Sequence, residues 1–254
     1  MDNIKNFRGL IVYQKAVELV GKISSEDLLE EEMTILRRCS YKITYYIAHA
    51  QGVSLYPNNT SYYYKQSIKW LLILEKELKK IKNKIAECNN YLNKITEIRK
   101  ILFALKNKED KKVLDSKYEL GNKTEGMLKD TEYIEFRKVR LYQLSLQLHK
   151  ECLEIIDTFP KHEEDLLKHQ LRKISQAISA QYVEGSTQFY LKKEIHFLSI
   201  TAGSVSECRA HLDIAKINNY ITESKFKEID NLCEQIVKLI YTHRNNLIDE
   251  LNNL

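Results

Sequence analysis

Phe136-Arg137-Lys138-Val139-Arg140-Leu141-Tyr142-Gln143 repeats a phrase from the start of the chain, Phe7-Arg8-Gly9-Leu10-Ile11-Val12-Tyr13-Gln14. Both run Phe-Arg, four residues, Tyr-Gln. Other landmarks recur at nearly the same spacing. Arg37-Arg38, Ile43, Ile47 and His49-Ala50 pair with Arg172-Lys173, Ile178, Tyr182 and Glu184-Gly185. Asn89-Asn90-Tyr91-Leu92 pairs with Asn218-Asn219-Tyr220-Ile221. The length differences fall around Gln51 to Thr60 and Thr158 to Lys161, where connections are expected. Landmarks recurring in order mark an internal duplication.

The unit that is duplicated is helical. The 254 residues include only 2 Pro and 7 Gly and are rich in Leu, Ile, Lys and Glu. Residues 10–23 read as a first helix and 26–51 as a second, with Ser24-Ser25 before the acidic pair Glu26-Asp27 as its cap. Leu71, Leu74, Leu78, Ile81, Ile85 and Cys88 step alternately by three and four, a heptad seam that predicts one continuous third helix ended by Asn89-Asn90. Leu92, Ile95, Ile98, Leu102 and Leu105 carry a fourth. Residues 106–133 turn polar and read as a linker. Four more apolar stripes follow, with Pro160 stopping the first of them. The expected fold is all-α, two tandem up-down four-helix bundles at 1–105 and 134–254.

Apolar runs are short and broken by charge, so no membrane span is expected. The start, Met1-Asp2-Asn3-Ile4-Lys5, lacks the pattern of a signal peptide. Five scattered cysteines suit a reducing cytoplasm better than a disulfide framework. His162, His169, His196 and His211 have no metal-ligand spacing, and no phosphate loop, nucleophile elbow or catalytic carboxylate pair is visible. A cytoplasmic, non-enzymatic protein without metal or cofactor is the expectation.

The second copy resembles a known family. Phe136-Arg137…Tyr142-Gln143, Arg172-Lys173…Ile178…Glu184-Gly185, and Gly203-Ser204-Val205-Ser206-Glu207 followed by Asn219-Tyr220-Ile221 are similar to motifs of the small bundle proteins encoded in intervening sequences of bacterial large-subunit ribosomal RNA genes. The accessory variability determinant (Avd) of diversity-generating retroelements is similar to that family. The first copy departs from it, with His49-Ala50 in place of Glu-Gly and Leu74-Glu75-Lys76-Glu77-Leu78 in place of the small residues. The resemblance implies a four-helix bundle that often assembles into rings. For Avd-like members it implies binding of nucleic acid and of a partner reverse transcriptase.

Charge points to where such binding would lie. Residues 1–105 hold 17 Lys and Arg against 11 Asp and Glu, while 136–254 are balanced at 16 each. The heptad puts Lys65, Lys69, Lys76, Lys79 and Lys80 on the outer face of the third helix. Arg37 and Arg38 extend this face, with Tyr62, Tyr63 and Tyr64 nearby. Such a face binds RNA or DNA through phosphates; it is equally a solvated lysine face, and the chain then a protein-interaction scaffold. Arg137, Arg172, Glu184 and Glu207 are expected to form a structural polar network, since buried charge must be paired. The bulk-free face around Gly203 suits close helix approach or a ligand. A tandem chain is expected to pack its copies together or to form a small homo-oligomer.

Overall fold

The computed structural model describes residues 6–114 and 135–252. The described residues form eight α-helices: α1 (Ile11–Ser24), α2 (Glu30–Gly52), α3 (Pro57–Lys80), α4 (Cys88–Leu114), α5 (Arg140–Ile156), α6 (His169–Ser186), α7 (Leu191–Ile217) and α8 (Glu223–Asn252). The described residues contain no β-strand and no helix long and apolar enough to cross a membrane. Helices α1–α4 pack in a closed cycle around one core, and α5–α8 around a second. The expected stripes are the residues that fill these cores: Leu71, Leu74, Leu78, Ile95, Ile98 and Leu102 in one, Leu144, Leu148, Leu171, Ile178, Ile195 and Ile236 in the other. All five cysteines are buried and free.

Several boundaries differ from the sequence reading. The heptad seam from Leu71 to Cys88 is not one helix. It breaks at Ile81, passes through a 3-10 turn at Lys82–Lys84, and reaches Ile85 in extended conformation. Ile85 and Cys88 are nonetheless buried. Their spacing continued the helical period because a connection lying over the core also needs apolar residues. Asn89-Asn90 therefore opens α4, where Asn90 Nδ2 donates to Glu87 Oε2 at 2.9 Å. The related Asn218-Asn219 does end its helix. Asn219, at φ 58°, takes the left-handed conformation that asparagine tolerates, and Tyr220 N–H closes back on Ala215 O at 2.8 Å.

Ser25 caps the end of α1 rather than the start of α2, with its hydroxyl donating to Lys22 O at 2.8 Å. α4 continues to Leu114, so 106–114 of the expected linker is helix; 115–133 lies outside the described residues. After Pro160, a 3-10 turn and one π-helical turn (Glu164–Lys168) lead into α6.

The two bundles share a broad seam, α2 against α7. Helix α7 is buried nearly all round because it belongs to its own bundle and to this seam, and it carries Ala202, Gly203 and Ser206 beside Gly52 there. Small residues let two backbones approach. A β-carbon on Gly52 would sit 2.3 Å from the Gly203 Cα, and one on Gly203 would sit 2.6 Å from His49 Nε2. The bulk-free face is thus a helix contact. Val20 and Tyr41 of the first half reach into the second core, and Ala210 of α7 into the first.

Candidate nucleic-acid interface

The polar groups of the seam set the bundles' relative position. Arg8 forks onto Asp213 (2.9 and 2.7 Å) and Asp230 (2.7 and 2.8 Å), Arg209 grips Asp230 from the other side (2.8 and 2.9 Å), and Tyr13 Oη donates to Asp213 at 2.6 Å. Burial lowers the affinity of the Arg8 guanidinium for its proton, but its hydrogen bonds to Asp230 and Asp213 more than reverse this. Farther along, Tyr41 and Tyr220 both donate to the fully buried Glu163, at 2.8 and 3.0 Å. Toward the Gly52–Gly203 contact, His49 Nδ1 lies 2.8 Å from Glu207 Oε2, with His211 Nε2 at 3.7 Å from the other carboxylate oxygen.

The expected network of Arg137, Arg172, Glu184 and Glu207 does not form. Arg137, Arg172 and Glu184 are exposed, and Arg137 pairs locally with Glu135 at 3.2 Å. Glu207 alone is in the interior, where it faces the other bundle. Its partner His49 is the residue that the sequence comparison above pairs with Glu184. A glutamate there would set two carboxylates against each other; histidine supplies a donor instead.

Burial pushes the Glu207 carboxyl up, but His211 and His49 outweigh it and hold it at about 2. Burial likewise raises Asp230, and Arg8 and Arg209 bring it down to about 2. Both values are below those of the unfolded chain, so their stabilisation is present above the ordinary carboxylate range and is lost as pH falls from about 4.5 toward about 2. Each should contribute on the order of 2 kcal/mol. Thermal melts at pH 6, 4 and 3 should drop steeply over that window, and Glu207→Gln with Asp230→Asn should start lower and fall less. A parallel fall in the double variant would contradict the assignment.

On the outer surface, Lys65, Lys69, Lys76, Lys79 and Lys80 are all exposed on α3. Lys79 pairs with Glu75 at 2.6 Å and Lys80 with Glu77 at 2.7 Å, whereas among the described residues Lys69 and Lys76 meet no carboxylate. Lys69, Lys76 and Lys80 follow one stripe, at steps of seven and four. Arg37 does not join it. Its side chain is only 11% exposed and reaches back to Glu30 at 3.4 Å. Neighbours on a helix point about 100° apart, so Arg37 and Arg38 could not share a face. Tyr63 and Tyr64 also turn inward, Tyr63 stacking on His49 (4.0 Å between centroids) and Tyr64 lying in the core; only Tyr62 is exposed.

Arg38 leads instead to a feature that sequence reading missed. Between α2, α3 and the π turn before α6 lies a cleft of about 300 Å³, lined by Arg38, Lys42, Trp70, Asp165, Gln170 and His211 among others. Lys42 Nζ lies 4.4 Å from the centroid of Trp70, the only tryptophan. Partial burial, Arg38 and Lys173 together pull the Lys42 ammonium below its usual value, so cations crowd this rim. The i, i+4 pair Arg38/Lys42 was visible in the sequence, but not the second bundle that closes the cleft. Among the described residues no cluster of His, Cys, Asp or Glu is arranged to hold a metal.

Residues 137–242 match the family model of the 23S rRNA-intervening sequence protein. The match covers most of the second bundle, less than half of the chain, and none of the first bundle. No curated protein matches the chain.

Proposed function

We propose that this chain is a cytoplasmic, non-enzymatic accessory protein that binds nucleic acid through its first bundle, the tandem copy that diverged, while the second bundle keeps the family surface for a protein partner. The observation that carries the reading is the exposed lysine stripe of α3, in which Lys69 and Lys76 meet no carboxylate among the described residues, beside the cationic, tryptophan-bearing cleft at Arg38 and Lys42. Phosphates would be held by the stripe and sequence would matter little, since lysines at such spacing offer few groups suited to base edges. By resemblance to the Avd-like proteins, the partner is a reverse transcriptase and the nucleic acid its RNA or DNA. A small homo-oligomer is compatible with this.

The test uses the full chain with a labelled single-stranded RNA and its DNA equivalent at two salt concentrations. Affinity should fall with salt at a log–log slope of about 0.7 per neutralised phosphate. Lys69→Glu, Lys76→Glu and Lys80→Glu together reverse three exposed charges and leave the core untouched, so the fold should survive and binding fall by roughly a hundredfold at low salt. Lys192→Glu with Lys193→Glu, on the balanced half, should cost far less. Absent wild-type binding, or binding unaltered in the triple variant, would leave a protein scaffold as the function.

A further inference from the structure

The cleft at the junction of the bundles has features that a phosphate-binding surface does not require. It is concave, and its volume of about 300 Å³ is at the lower end for small-molecule sites. Its rim carries Arg38 and Lys42, which among the described residues form no ion pair. One wall is the indole of Trp70, with the Lys42 ammonium over its ring at 4.4 Å; a base that stacks on the indole takes the place of this ammonium, which swings to the phosphate. Its floor includes His211, fully buried; Nε2 faces Glu207 Oε1 at 3.7 Å, a long ion pair rather than a hydrogen bond, and among the described residues Nδ1 has no partner at all. A buried imidazole left unsatisfied beside a cavity is a group that a ligand's polar edge can complete. On the side of the second bundle, Gln170 supplies an amide and Asp165 a carboxylate, which only accepts.

We infer that the cleft is a site for a single nucleotide: the base stacks on Trp70 with its polar edge toward His211, Gln170 and Asp165, and the phosphate lies between Arg38 and Lys42. This rests on the nucleic-acid reading above and deepens it. A strand tracked by the α3 lysines would place one unstacked base in the cleft, the usual way single-stranded RNA is anchored. Asp165 accepts hydrogen bonds from an exocyclic amino group, which adenine, cytosine and guanine have and uracil lacks. Both bundles contribute walls, so only the assembled chain can hold the base.

The chain's only tryptophan lies in the cleft, so its fluorescence reports the site directly. Titration of the full chain with AMP, CMP, GMP, UMP, ribose 5-phosphate and inorganic phosphate should quench it with the three amino-bearing nucleotides at about millimolar or lower concentration. UMP should bind severalfold more weakly. Lys42→Ala should shift the AMP midpoint about tenfold, and Asp165→Asn should narrow the gap between AMP and UMP. Calorimetry on Trp70→Phe, where the optical signal is gone, should show AMP binding retained but weakened. Phosphate or ribose phosphate binding as tightly as AMP would overturn the base site, as would no response to any nucleotide in a chain that still binds strands. Mononucleotide binding without strand binding would keep this inference and overturn the function proposed above.

Discussion

Replacing Gly52 by alanine should lower the melting temperature of the whole chain by roughly 2–10 °C, corresponding to about 1–3 kcal/mol of overpacking. The physical cause is backbone against backbone. The added carbon would lie 2.3 Å from Gly203 Cα and 2.4 Å from Gly203 N, so no rotamer change relieves it and α2 must move off α7. Movement there would also loosen His49 from Glu207. Gly9 provides the control: a β-carbon there meets nothing within 4 Å, and Gly9→Ala should change stability by no more than about 0.5 kcal/mol. Paired thermal melts decide it, and equal melting of both variants with wild type would mean that the seam is not packed this closely.

The two copies of the opening phrase should respond differently to the same substitution. Arg8→Ala should cost about 3 kcal/mol, because it strips the Asp213 carboxylate of its only arginine and leaves Asp230 to Arg209 alone. Arg137→Ala removes only a surface pair with Glu135 and should cost less than about 1 kcal/mol. Urea unfolding of the two single variants is sufficient. Equal losses would show that the clamp between the bundles contributes no more than an exposed ion pair. The phrases themselves are built alike: Phe7–Tyr13 and Phe136–Tyr142 meet edge to face at 4.8 and 5.0 Å, and Gln14 and Gln143 donate to the carbonyls of Arg8 and Arg137 at 3.0 and 3.2 Å. Local sequence sets the conformation; only the environment separates the clamp from the surface pair.

The same division holds through the molecule. Apolar spacing by itself determined that the chain is all-helical, which residues enter the cores, and that Lys69, Lys76 and Lys80 face solvent, because burial follows the helical period of one segment at a time. It misplaced the end of α3, since Ile85 and Cys88 keep that period while lying in a connection over the core. It placed Arg37 on the outer face, because helical phase alone does not say which flank a neighbouring bundle covers. Glu207 was recognisable as a buried acid, yet its partner proved to be His49, far away in sequence. The cleft was illegible for the same reason: Arg38, Lys42 and Trp70 come from one bundle, Asp165, Gln170 and His211 from the other, and no periodicity links them. Only tertiary structure decided these pairings, because they depend on how closely α2 and α7 approach, which Gly52 and Gly203 permit and no local pattern specifies.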